Sequence, residues 1–208
     1  MWRELGASRL VVEEVVAFRQ ELSVVVARGS TGEMVDHGVM GNVHVNGMLD
    51  TTVTPADVPE AVSDEARRLA RRVAEVVGLC GVLCVELFWV DGRLLVNEIA
   101  PRPHNSGHCT IEAAPCGQFE QQVRAICGLP LGDGACRPAA MVQLLGDLWH
   151  DGEPRWSRIL ADPMISLHLY GKSEALPGRK MGHLTCVDSS ADAALERLLA
   201  ARARLGRA

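Results

Sequence analysis

The chain has 208 residues, 48% of them apolar and 23% charged, and a formal net charge of −5. This is enough chain for one large domain or a medium and a small one, the composition is that of a globular protein, and the negative balance offers no basic field to nucleic acid or an anionic membrane. The longest apolar runs are strand-length, such as 81–87, itself broken by Glu86. They fall far short of the roughly 20 residues that cross a bilayer. Met1-Trp2-Arg3-Glu4 also lacks the pattern of a secretory signal, so a cytoplasmic protein without membrane or nucleic-acid partners is expected.

Taken in chain order, the valine-rich stretches Arg9–Val16 and Leu22–Ala27 read as strands separated by a charged bend at Arg19-Gln20-Glu21. A turn at 29–32 precedes Met34–Val45, which alternates weakly, and His44–Pro55 reads as irregular, with Asn46-Gly47 marking a loop or hairpin tip. Asp57 is placed to cap a helix whose apolar positions Ala66, Leu69, Ala70, Val73, Ala74 and Val77 recur at helical spacing until Gly78 stops it. Two strands, Gly81–Trp89 and Arg93–Ile99, flank Val90-Asp91-Gly92, and Gln118–Ile126 reads as a short helix. The breaker-rich segment 128–138 suggests a boundary, giving domains 1–135 and 136–208. Beyond it, Ala140–Leu145, Ile165–Tyr170 and Gly182–Val187 read as strands and Ala191–Arg207 as a helix. Seven scattered cysteines without a Cys-x-x-Cys pair argue against a disulfide framework or structural zinc. Cys80 and Cys84 merely share one face of a strand.

Glu86 and Glu98 each interrupt an apolar strand, and a buried carboxylate is costly unless it is paired or binds a cation. Whether they meet depends on register. A two-residue Asp91-Gly92 turn pairs Val90 with Arg93 and sends the glutamates to opposite faces; a three-residue loop makes them diagonal neighbours on one face, roughly 7–8 Å apart and able to share a divalent cation. The bland alternative is a pair of solvated or arginine-paired carboxylates. Taken singly, Glu13, Glu21 and His44 read equally as surface groups, and Lys172, Arg179 and Lys180 as cations around a turn. His104 and His108 have metal-like spacing, but Pro103 and Gly107 between them disfavour the helix such a pair needs.

The continuation from Asn97 to His108, Asn-Glu-Ile-Ala-Pro-Arg-Pro-His-Asn-Ser-Gly-His, closely resembles the signature of 5-(carboxyamino)imidazole ribonucleotide synthases, ATP-grasp ligases of purine synthesis. Matches continue in order through Gln118-Phe119-Glu120 with Arg124, Gly128-Leu129-Pro130-Leu131, residues 141–146 and Pro177-Gly178-Arg179-Lys180-Met181-Gly182-His183, so that the resemblance runs from about Val11 to Asp188.

The resemblance implies an α+β fold, an ATP-grasp large lobe with an antiparallel sheet and helices, followed by a small β-rich carboxy-terminal domain. It implies ATP-dependent carboxylation of aminoimidazole ribonucleotide with bicarbonate through carboxyphosphate, with ATP and Mg²⁺ required. Residue by residue, Glu13, Glu14, Val15 and Val16 look like the adenine-holding hinge. Glu21 resembles the ribose-binding carboxylate and His44 a nucleotide contact. Glu86 and Glu98 match the magnesium ligands, with Asn97 beside them. Arg102, His104 and Asn105 match the loop that meets the bicarbonate-derived intermediate and substrate, and Lys172 and Arg179 the pair that grips the substrate phosphate.

The family also carries an amino-terminal domain and a small lobe with a glycine-rich loop and a phosphate-binding lysine, whereas about ten residues precede the hinge-like stretch here. A truncated or split enzyme is therefore expected, as a homodimer or with a partner chain supplying those lobes, and with exposed apolar surface. The competing expectation is an inactive remnant that serves as a binding or assembly module. Ala100, where many other ATP-grasp enzymes place an asparagine, suits the carboxylating subfamily, and Met40-Gly41 departs from the usual loop before the histidine.

Overall fold

The computed structural model describes residues 11–205. Strands β1 (Gln20–Arg28), β2 (Met34–Val45), β3 (Met48–Thr54), β4 (Gly81–Val90), β5 (Arg93–Ala100), β6 (Ala139–Leu145), β7 (Ile165–Leu169) and β8 (Lys180–Val187) form one sheet in the order β5-β4-β1-β2-β3-β6-β8-β7. Every pairing in it is antiparallel. Helices complete an α+β architecture: α1 (Glu60–Val76), α2 (Thr110–Ala113), α3 (Gln118–Ile126), α4 (Ser157–Leu160) and α5 (Ala191–Leu205). The sheet runs on unbroken across 128–138, because β3 pairs with β6.

Alternation along the strands divides the core into two faces. On one, Leu22, Val24, Val26, Leu83, Val85 and Leu87 pack against α1, whose small Ala66, Ala70 and Ala74 let the helix lie close; Ala140, Val142, Leu144 and Leu184 meet α5 through Ala194, Leu198 and Ala201. The other face buries Val25, Met40, Leu49, Val82, Cys84 and Met141 beneath Cys109 and Ala113 at and beside α2, and it also carries buried polar side chains, among them Ser23, Asn42, Gln143 and Thr185. Arg202 of α5 holds Asp50 of β3 through two hydrogen bonds, at 2.5 and 3.0 Å.

Several expectations need correction. Residues 11–16 form no strand: Val11, Val12 and Val15 are 85–94% exposed. β-propensity reflects fit to a pleated, half-buried surface, and no neighbouring strand engages these valines; Arg9 and Leu10 of that predicted strand lie outside the described residues. Within the stretch read as irregular, 48–54 is strand β3, turned back by a two-residue tip at Asn46 and Gly47 with φ of 52° and 74°. Its threonines sit on a sheet interior where β-branched residues pack well. Asp57 does not cap α1; the N-cap is Pro59, with no side-chain hydrogen bond. Gly78 ends that helix as expected, at φ 61° and with its N–H donating to the Glu75 carbonyl. The helix expected over Ala191–Arg207 is seen over Ala191–Leu205, Arg207 lying outside the described residues. Four of the seven cysteines are buried and all are free; Cys80 precedes β4 and is exposed.

Candidate active site

The β4–β5 hairpin closes through the shorter of the two loops. Asp91 and Gly92 adopt φ of 46° and 78°, and Val90 pairs with Arg93. Continued regularly, that register would set Glu98 against Val85, on the α1 face. Instead the ladder shifts between Leu87, opposite Val96, and Glu86, opposite Glu98. Asn97 is the extra residue of a β-bulge, and the half-turn it inserts brings Glu98 onto the same face as Glu86. The two carboxylates face each other across neighbouring strands with a two-residue turn; a longer loop is not needed.

A polar cluster forms around them. Glu21 of β1 accepts a 2.8 Å hydrogen bond from His44 Nδ1 and a 3.3 Å one from the His44 backbone N–H. His104 Nε2 lies 3.6 Å from Glu86 Oε1. Burial raises the Glu86 carboxyl above the usual carboxylate range; Glu98 and Glu21 push it further up, while His44 and Lys180 pull it down. All four therefore share its surroundings. His104 is pushed down to about 4, first by burial and then by the cations Arg102 and Lys180, so its imidazole is neutral at neutral pH. The Ser106 backbone N–H and hydroxyl both address its Nδ1, at 3.4 and 2.9 Å. The proton accordingly sits on Nε2, aimed at Glu86.

Lys180 is a further group on this face, one that sequence reasoning left among the turn cations. The β6–β8 ladder shifts between Leu144, opposite Gly182, and Leu145, opposite Lys180, so a second bulge, at Met181, turns Lys180 onto the carboxylate face. Burial lowers its pKa, and Glu86 opposes that shift. The available signal was the position of Lys180 at the head of an apolar strand rather than within the turn. Lys172 reaches it from outside, Nζ donating to the Lys180 carbonyl at 2.6 Å, and Arg179 donates to the Glu174 carbonyl at 3.1 Å.

The other expected residues are placed less centrally. Arg102 is exposed at the mouth, its backbone N–H held by the Ala100 carbonyl at 2.8 Å. Asn105 is half-buried at the start of a single 3-10 turn, and Asn97 is exposed at the bulge. Glu13, Glu14 and Val15 are exposed and Val16 is half-buried, all outside any strand. Beneath the site, burial pushes the Cys84 thiol up to about 12, so it is no nucleophile. Among the described residues no cluster of three or more His, Cys, Asp or Glu side chains is arranged to hold a metal. Two opposed carboxylates do fit Mg²⁺, which binds through one or two protein carboxylates and takes its remaining ligands from phosphate oxygens and water. Burial first, and then Glu98 and Glu21, make the ionised Glu86 carboxylate costly, a cost that such a cation would relieve.

This fold and this carboxylate face define the class. The chain belongs to the ATP-grasp family: residues 1–119 match the ATP-grasp domain, and residues 139–197 match the phosphoribosylaminoimidazole carboxylase C-terminal domain. Among curated relatives, the N5-carboxyaminoimidazole ribonucleotide synthase of Bacillus subtilis is 42% identical over 188 residues, covering 88% of this chain and 48% of the relative. The Vibrio vulnificus enzyme of that name is 41% identical over 214 residues, covering 99% and 54%. The crystal structure of the Thermus thermophilus synthetase superposes with a TM-score of 0.83 at 41% identity, covering 92% of this chain and 52% of that one. The Aspergillus clavatus enzyme in complex with ADP and 5-aminoimidazole ribonucleotide gives 0.79 at 31% identity, with the same coverage. The chain thus spans about half the length of the relatives it matches.

Proposed function

We propose that this chain carries the carboxylating half-site of an ATP-dependent ligase that adds bicarbonate to the amino group of aminoimidazole ribonucleotide, in the cytoplasm, where its free cysteines stay reduced. The observation that carries the reading is the bulge-built pair Glu86 and Glu98, with the His104 Nε2–H and the Lys180 ammonium on the same face. Glu86 and Glu98 would hold Mg²⁺, which when bound neutralises charge on the ATP phosphates. Glu21 and His44 hold the nucleotide, Glu13 to Val16 serve as the adenine hinge, and Asn97 stands beside the two metal-binding carboxylates.

In this reading a bicarbonate oxygen attacks the terminal phosphorus of ATP, ADP leaves, and carboxyphosphate forms. Arg102 and Lys180 screen its negative charge, and His104, neutral and protonated at Nε2, donates to one of its oxygens. The substrate amine then attacks the carboxyl carbon, the bond to phosphate breaks, and the departing phosphate takes the proton from nitrogen to leave a carbamate. Asn105 orients the amine, while Lys172 and Arg179 grip the substrate's own phosphate. The division of the chain near residue 135 belongs to the same proposal, supported by family matches that end at 119 and resume at 139. So does assembly with a second copy or with a chain bearing the family's amino-terminal lobes, supported by the exposed apolar stripe Phe119, Val123 and Ile126 along α3.

The test is ADP release by the purified protein with ATP, Mg²⁺ and bicarbonate, with and without aminoimidazole ribonucleotide, beside Glu98→Gln. Release that depends on the ribonucleotide and falls by about 100-fold or more in the variant is expected. Release indifferent to the ribonucleotide, or unchanged in Glu98→Gln, would sink the reading.

A further inference from the structure

We propose that Gln118 is a positioning residue for the His104 loop, locked by a stack of three imidazoles that ties this loop to the strand bearing Lys180. The inference rests on the reading of His104 and Lys180 as the groups that face the carboxylated intermediate.

Gln118 opens α3 and is fully buried. Its Oε1 accepts the His104 backbone N–H at 2.9 Å and its Nε2 donates to the His104 carbonyl at 2.8 Å. One side chain thereby satisfies both backbone groups of one residue, as a neighbouring strand would, and sets the direction in which the imidazole leaves the chain. The amide has little freedom. Gly107 makes room for it: a Cβ there would come within 2.5 Å of Gln118 Oε1. From below, the Gln118 backbone N–H donates to Thr110 Oγ1 at 3.0 Å, and that hydroxyl donates to the Gly107 carbonyl at 2.6 Å.

The second hydrogen on Gln118 Nε2 points to His108 Nδ1, at 3.4 Å. His108 is sandwiched between Phe119 and His183, with centroids at 5.8 and 4.4 Å and interplanar angles of 16° and 11°; His183 in turn stacks on His168 at 4.6 Å and 17°. Phe119 comes from α3, His108 from the loop, His183 from β8 and His168 from β7, so the stack crosses from the loop to the strand that begins with Lys180.

The middle ring and the far end of the stack are pinned. The Tyr170 hydroxyl accepts from Gln143 Nε2 at 3.1 Å and donates to His183 Nδ1 at 2.9 Å. The Glu112 carboxylate takes His168 Nε2 and the Thr185 hydroxyl, each at 2.6 Å. With its Nδ1 accepting, His183 carries its proton on Nε2, which is buried without a partner. Leaving a buried donor without a partner costs free energy, and the stacked geometry holds the ring there all the same. Burial pushes His183 down to about 2 and His108 to about 4, so these two rings are neutral at neutral pH and can lie face to face without repulsion.

The experiment has one arm without turnover and one with it. In the wild-type protein, hydrogen exchange at the His104 amide should be as slow as in strand β4; exchange at the rate of an unbonded loop amide overturns the proposal, whether or not the protein proves to be a ligase. In Gln118→Met, which keeps the volume and removes both hydrogen bonds, that amide should be exposed. There kcat for carboxylation should fall about 10- to 100-fold while KM for ATP stays within about two-fold, the signature of a misplaced reacting group. Gln118→Glu, whose protonated acid reproduces the amide's donor and acceptor but whose carboxylate does not, should recover relative to wild type by about ten-fold between pH 8 and pH 6. Unaltered kcat in Gln118→Met, or a pH-independent ratio for Gln118→Glu, also overturns it. If Gln118→Met does not fold, the wild-type exchange rate decides.

Discussion

The two faces of the sheet are built from the same strands, one residue apart, and do different work. On the helix face Leu22, Val24, Leu83 and Val85 are removed from water by α1, and their contribution is non-directional. On the other face Ser23, Asn42, Gln143, His183 and Thr185 are equally buried but polar, and they are held by directed bonds such as Asn42 Nδ2 to Ser23 Oγ at 2.8 Å and Thr52 Oγ1 to Asn42 Oδ1 at 3.0 Å. One face supplies stability that tolerates approximate shape; the other spends part of it on geometry that must hold to fractions of an ångström.

That contrast can be broken or sharpened by measurement. The largest expected effect is on the helix face. Leu22→Ala should cost about 3–4 kcal/mol, read as a lower denaturant midpoint, while the activity of the molecules that remain folded is unchanged; equal loss of specific activity would mean that the faces are not separable. Next comes acid. His108 and His183 have folded-state pKa values below the ordinary 6.5, so below that value the unfolded chain takes up protons that the folded chain refuses, and the stability present above pH 6.5 drains away as pH falls toward 4. Each contributes roughly 3 kcal/mol of loss by pH 4, and melting temperature followed from pH 7.5 to 4.5 should drop less in His183→Asn. A parallel drop in the variant would place the acid sensitivity elsewhere. Smallest is Glu86→Gln. Because burial raises the Glu86 carboxyl, removing its charge should leave stability at neutral pH unchanged or slightly higher, even as ligase turnover disappears. Marked destabilisation would show that the carboxylate is structural.

The elements of the fold were largely legible in the sequence because most strands and helices announce themselves by period, and because Gly78 and Asp91-Gly92 are strong local punctuation. The valines of 11–16 misled for a physical reason: composition reports the capacity to pair, not the presence of a partner. β3 was hidden because Asp50, Thr51, Thr52 and Thr54 look polar while the sheet on both sides buries three of the four or ties them to Arg202. At the site, residue identities were legible through a long motif, but placement was not. The alternation of β5 sends Glu98 to the wrong face, and so does that of β8 for Lys180; in each case one extra residue, Asn97 or Met181, reverses the answer. Nothing local in Val96-Asn97-Glu98 or Lys180-Met181-Gly182 signals a bulge, because the preference arises from what lies across the face.

The bulge at Asn97 has a second consequence. β5 closes one side of the sheet, with Leu95, Val96 and Ile99 each about 40% exposed along it. A flat ribbon of that composition would template the addition of further chains, strand upon strand, into a growing polymer. The kink interrupts the row of free amides and carbonyls after four residues, so an incoming strand that registers with Arg93 to Val96 falls out of step at Glu98 and meets a carboxylate there. Among the described residues, the same irregularity that assembles the acidic pair makes the outer edge of β5 a poor template for a further strand.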